Sequence, residues 1–126
     1  MNFPDDLKYT KDHEWIRIKG AEAFVGITDF AQSELGDIVF LDITTIGQDI
    51  KQGGLFGTVE AVKTVSDLFM PISGKVLEVN PKITTAPESV NKDPYGDGWL
   101  IKISVANPAE VTSLLSSIDY KKEIGK

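Results

Sequence analysis

No cysteine occurs among the 126 residues, and there is a single histidine, His13. Without thiols the chain has no disulfide framework, no thiol nucleophile and no redox pair of its own, so any sulfur chemistry has to arrive on an attached group. One imidazole is too few for a His/Cys zinc site, and a hydrolytic triad would have to be built around it alone. His13 lies in His13-Glu14-Trp15 beside a strand, where a structural role is expected rather than a catalytic one. Positive charge is also scarce: 13 Lys and Arg against 19 Asp and Glu leave a formal charge of -6 and a pI near 4.7. That excludes the basic face that nucleic acids and anionic membranes need, and it favours basic protein partners. No apolar run approaches a membrane span. The amino terminus, Met1-Asn2-Phe3-Pro4-Asp5-Asp6, is acidic and resembles neither a secretory signal nor an Arg-rich transit peptide, so a bacterial cytoplasmic protein is expected.

What the chain does have is a series of short apolar runs separated by turn residues. Trp15-Ile16-Arg17-Ile18-Lys19 alternates as a strand does, and beyond Gly20 the run Ala23-Phe24-Val25-Gly26-Ile27 completes a hairpin. Thr28 to Gly36 reads as a short helix, with Thr28 as cap, Asp29 at the positive end and Gly36 as stop. Strands follow at Asp37–Ile43 and Lys75–Val79, the latter ended by Asn80-Pro81. One helical turn is expected over Ala86–Asn91, with Pro87 at its first position, and a half-buried strand over Trp99–Val105. Asn107-Pro108-Ala109-Glu110 opens a carboxy-terminal helical segment over about 107–124, and a break near Ser116-Ser117 is left open. The length suits one domain, 1–126, mainly β with short helices.

Between Gly57 and Gly74 lies Glu60-Ala61-Val62-Lys63-Thr64-Val65, with valines on both sides of the lysine and bend-forming glycines and proline at the ends of both arms. This outlines a hairpin with Lys63 at its tip, the amine open to a modifying enzyme and the backbone held. Two other glycine-containing stretches carry less. Gly53-Gly54-Leu55-Phe56-Gly57 lacks the Lys-Ser/Thr and the helix of a phosphate loop, and Asp93-Pro94-Tyr95-Gly96-Asp97-Gly98 lacks the spaced acids of a calcium loop. Both are assigned to backbone turns, and no metal site is expected.

The stretches Glu60-Ala61-Val62-Lys63, Ser66-Asp67-Leu68, Pro71-Ile72-Ser73-Gly74 and Val76-Leu77-Glu78-Val79-Asn80 resemble the prosthetic-group hairpin of lipoyl and biotinyl carrier domains. In detail they resemble the H-protein family of the glycine cleavage system. Biotin carriers usually flank the lysine with methionine, and the lipoyl domains of 2-oxo-acid dehydrogenases usually have Asp-Lys-Ala; Val62-Lys63-Thr64 is neither. His13-Glu14-Trp15 and Val90-Asn91-Lys92-Asp93-Pro94-Tyr95-Gly96-Asp97-Gly98-Trp99-Leu100 extend the likeness over almost the whole chain.

The resemblance implies a barrel-sandwich hybrid of two antiparallel sheets, with the lipoyl-binding core over about 22–105. It implies a non-catalytic, monomeric carrier with lipoate in amide linkage on Lys63, shuttling an aminomethyl unit. The implied partners are a pyridoxal-phosphate glycine decarboxylase, a tetrahydrofolate-dependent aminomethyltransferase and a dihydrolipoyl dehydrogenase, together with a lipoate ligase or lipoyl/octanoyl transferase. Glu60 and Gly74 are implied in recognition by the modifying enzyme, Gly74 through hairpin geometry. Glu14 and Asp67 are implied in a cleft that docks the arm. A carrier that relays lipoate to other lipoyl proteins, or an unmodified β-rich interaction module, are the other readings of the same hairpin.

Overall fold

Alternating apolar side chains build two antiparallel sheets in a computed structural model that describes residues 1–126. The larger sheet runs in the order β1 (Lys8–Tyr9), β2 (Glu14–Lys19), β3 (Glu22–Ile27), β9 (Ile101–Ser104), β8 (Gly74–Val79), β5 (Asp49–Ile50). The smaller has β4 (Ile38–Asp42), β6 (Leu55–Ala61) and β7 (Val65–Phe69). The sheets do not close into a barrel, and the architecture is the expected barrel-sandwich hybrid. In β4 the pairing with β6 slips between Ile38 and Phe40, leaving Val39 as a bulge on the edge strand.

Ile16, Val25, Ile27, Ile101 and Ile103 from the larger sheet meet Leu41, Phe56, Val59 and Leu68 from the smaller in one buried cluster. Each such side chain contributes roughly 1.5–3 kcal/mol of burial. A second cluster, largely aromatic, fastens the chain ends to the outside of the larger sheet: Phe3, Leu7 and Tyr9 pack with Trp15, Tyr95 and Tyr120. Trp15 sits opposite Gly26 in the β2–β3 register, and a Cβ there would lie 2.7 Å from the indole ring. The glycine lets the indole lie on the strand while its Nε1 donates to the Pro94 carbonyl at 2.9 Å.

The helix α1 (Asp29–Leu35) starts and stops where its caps place it: the Thr28 hydroxyl accepts from Ala31 N–H at 3.1 Å, and Gly36 turns out of the helix at φ 77°. Asn80-Pro81 does more than end a strand. Asn80 caps a short helix α2 (Pro81–Thr85) that was not expected, and α3 (Ser89–Lys92) begins two residues beyond Pro87. The half-buried strand starts at Ile101 instead of Trp99. At the carboxy terminus a 3-10 helix (Pro108–Ser113) and α4 (Ser117–Glu123) are separate. Leu115 exchanges two backbone hydrogen bonds with Tyr9, both 2.8 Å, so its N–H and C=O are spent on β1 and cannot continue a helix.

Candidate functional site

The hairpin β6–β7 pairs up to Glu60 and Val65, and Ala61 N–H donates to the Thr64 carbonyl at 2.8 Å across the turn. Val62 and Lys63 are therefore the apical residues. Val62 is 76% exposed, and neither apical residue needs a left-handed backbone. Val62 N–H also donates to the Asp37 carbonyl at 3.0 Å, tying the tip to the α1–β4 connection. The Lys63 stem runs beside that connection, with Cε 3.7 Å from where a Cβ on Gly36 would stand. The tip is thus tied both across the turn and to the α1–β4 connection, while Lys63 itself is exposed.

A cleft of about 360 Å³ opens beside the hairpin. Ile27, Val59 and Leu68 form its apolar floor, and Phe30, Ala31 and Leu35 of α1 form one wall. Ala31 and Leu35 are one turn apart, as are Phe30 and the neighbouring Glu34, so these pairs share the cleft side of α1. On β7 the lining starts at Ser66, three residues from Lys63, and on β6 at Val59, four residues away, so the cleft begins about 10–13 Å of chain from the lysine. Carboxylates ring it: Asp12, Glu14, Glu34 and Asp67.

Glu14 is the unusual one. It is 1% exposed and accepts hydrogen bonds from Thr10 Oγ1 at 2.7 Å and from Phe69 N–H at 3.2 Å. Burial pushes its carboxyl up from 4.5 to about 8, against the pull of those two donors. Asp67 is an exposed rim acid on β7.

Lys63, Glu14 and Asp67 are thus gathered at one end of the molecule. Glu60 lies on the outer face of the small sheet, between Phe40 and Val65 in the register, and those two are 53% and 60% exposed. Gly74 is not in the hairpin at all. It opens β8 in the larger sheet, where a Cβ would run into the Ser104 carbonyl oxygen. Sequence reasoning did not identify Asp12, Glu34, the α1 wall, or Gly36 and Asp37 as part of the site; for α1 the apolar spacing was the available signal.

A lysine presented on an anchored hairpin tip, beside an apolar-floored and acid-rimmed cleft on a cysteine-free double-sheet scaffold, defines a swinging-arm carrier. The model of the family described as glycine cleavage H-protein matches residues 7–126. The glycine cleavage system H protein of Bacteroides fragilis is 58% identical over 121 residues, 96% of each chain. That of Chlorobium limicola is 56% identical over 128 residues, covering 100% of both. The crystal structure of a glycine cleavage system H protein from Mycobacterium marinum superposes with a TM-score of 0.86 at 39% identity, covering 98% of this chain and 100% of that one. The chain belongs to the glycine cleavage H-protein family.

Proposed function

We propose that Lys63 carries lipoate as an amide, and that the chain is the shuttling, non-catalytic component among the enzymes of glycine cleavage. When bound, lipoate supplies the dithiolane that accepts an aminomethyl unit from glycine decarboxylation, yields it to a folate-dependent aminomethyltransferase and is reoxidised by dihydrolipoyl dehydrogenase. The observation that carries this is the placement of Lys63 on a doubly tied hairpin tip next to the cleft.

The cleft fits such a group. Ile27, Val59, Leu68 and Phe30 suit an aliphatic chain, and Glu14 and Asp67 suit a protonated amine at its end. Cargo on such an arm would be open to attack by water, so a cleft that excludes bulk solvent would protect it. One charge-assisted hydrogen bond, about 1.5–3 kcal/mol net, biases the arm toward the cleft roughly ten- to a hundredfold. Glu60, exposed three residues before Lys63, serves recognition by the lipoylating enzyme. No helix of the chain is long and apolar enough to cross a membrane. The test is intact-mass and peptide analysis after expression with lipoate and a ligase. One lipoyl group on Lys63, lost in Lys63→Arg, is expected; modification at Lys75 or elsewhere, or biotin in place of lipoate, refutes the reading.

A further inference from the structure

His13 lines the cleft, and its backbone is held from both sides. Its N–H donates to the Thr10 carbonyl at 3.1 Å, and its carbonyl accepts from Thr28 N–H at 3.0 Å. It is the one non-glycine residue with a left-handed φ, 69°. Its ring leans on Phe30 of the α1 wall, centroids 5.1 Å apart. Nδ1 lies 2.9 Å from the Tyr120 hydroxyl, which lies 2.7 Å from Thr28 Oγ1.

The direction of that relay follows from Thr28. Its side chain is fully buried, and Oγ1 already accepts Ala31 N–H as the helix cap. Tyr120 is its only other hydrogen-bonding neighbour. Were Nδ1 to donate to Tyr120, and Tyr120 to Thr28, the buried Thr28 proton would have no acceptor. With Thr28 donating to Tyr120 and Tyr120 to Nδ1, every proton is used. Tyr120 stays a hydroxyl throughout, because burial holds it up at about 12. Burial also lowers His13, against the opposing pull of Asp12, Glu34 and Glu123, so the ring is neutral at ordinary pH.

We propose that His13 is a further binding residue of the cleft: fixed as the Nε2–H tautomer by the relay from Thr28 through Tyr120, it donates to the sulfur end of the arm on Lys63. This rests on the carrier reading above. Beside the cleft's carboxyl groups it divides the work at the arm's end, the acids taking the amine and His13 the sulfur. Tyr120 is the positioning residue, and α4 braces the cleft from outside.

Because His13 is the sole histidine, long-range nitrogen–proton correlation in labelled protein reads its two ring nitrogens without overlap. In unmodified protein the Nε2–H tautomer is expected to dominate about tenfold or more. Tyr120→Phe keeps the stack on Tyr9 and loses the hydroxyl; a tautomer mixture is expected. Loading the lipoylated protein with the amine should shift the Nε2–H signal and slow its exchange with water about tenfold. An Nδ1–H majority in the wild type, or a tautomer unaffected by Tyr120→Phe, overturns the relay; the wild-type measurement stands whether or not the variant folds. A signal unmoved by loading, while Glu14→Gln still hastens loss of the amine, overturns the role of His13 alone. If neither changes, the docking cleft falls with it.

Discussion

Replacing Glu14 by Gln tests the cleft through stability as well as through cargo. The folded protein holds this carboxyl at about 8 against 4.5 for the free group. At about 1.4 kcal/mol per pH unit, the difference corresponds to an upper figure of about 5 kcal/mol. The native state keeps a proton that the unfolded chain has released. The contribution is therefore whole below pH 4.5, declines as pH rises, and is gone above about pH 8. Gln at this position is neutral at every pH and keeps an acceptor for Phe69 N–H. Urea unfolding of wild type and Glu14→Gln, followed by tryptophan fluorescence at about pH 5 and about pH 9, gives the comparison. The stability of the wild type relative to the variant should fall by at least about 2 kcal/mol across that range. A difference that does not change with pH would mean Glu14 titrates as an ordinary carboxylate, and the reasoning from its burial would be wrong. If it holds, Glu14 meets neutral pH largely protonated and ionises when a cation lies beside it, so arm docking releases a proton and strengthens as pH rises toward 8.

Asp67→Asn, on the exposed rim, should raise the spontaneous breakdown rate of the amine-loaded protein roughly tenfold at matched pH, corresponding to one lost charge-assisted hydrogen bond; a rate equal to wild type removes Asp67 from docking. Glu60→Ala should fold normally and be lipoylated more slowly in a ligase time course, and an unchanged rate leaves Glu60 an ordinary strand acid. Gly74→Ala should cost roughly 2 kcal/mol or more in denaturant unfolding, because its Cβ meets the Ser104 backbone and not a flexible side chain. Its modification should fall with the folded fraction, and slower modification of fully folded Gly74→Ala protein would argue for direct recognition instead.

The legible parts of this molecule were those with local causes. Alternation from Trp15 to Lys19, the Thr28 and Gly36 caps and the valines around Lys63 each act within a few residues, and strands, helix and hairpin lie where those signals put them. The five-residue α2 has too short an apolar pattern to be seen, although Asn80-Pro81 is a cap followed by a helix-starting proline. The divided carboxy terminus depends on Leu115 meeting Tyr9, far away in sequence. The relay through Tyr120 joins residues 92 and 107 positions apart. Single-residue chemistry gives no reason to connect them, and from the sequence His13 reads as structural because its partners are far away along the chain. Glu14 was placed through family likeness; its burial, which makes it chemically unusual, belongs to the folded state alone.

The bulge at Val39 bears on how such a carrier avoids itself. An edge strand with two exposed apolar residues, Val39 at 46% and Phe40 at 53%, has the composition that templates sheet growth between copies. Self-pairing needs a regular row of outward N–H and C=O groups, and the slipped register between Ile38 and Phe40 interrupts that row at the exposed residues. Stickiness and templating are thereby separated: the outer face keeps its exposed apolar side chains, while the bulge breaks, at those same residues, the backbone ladder that a second copy would extend.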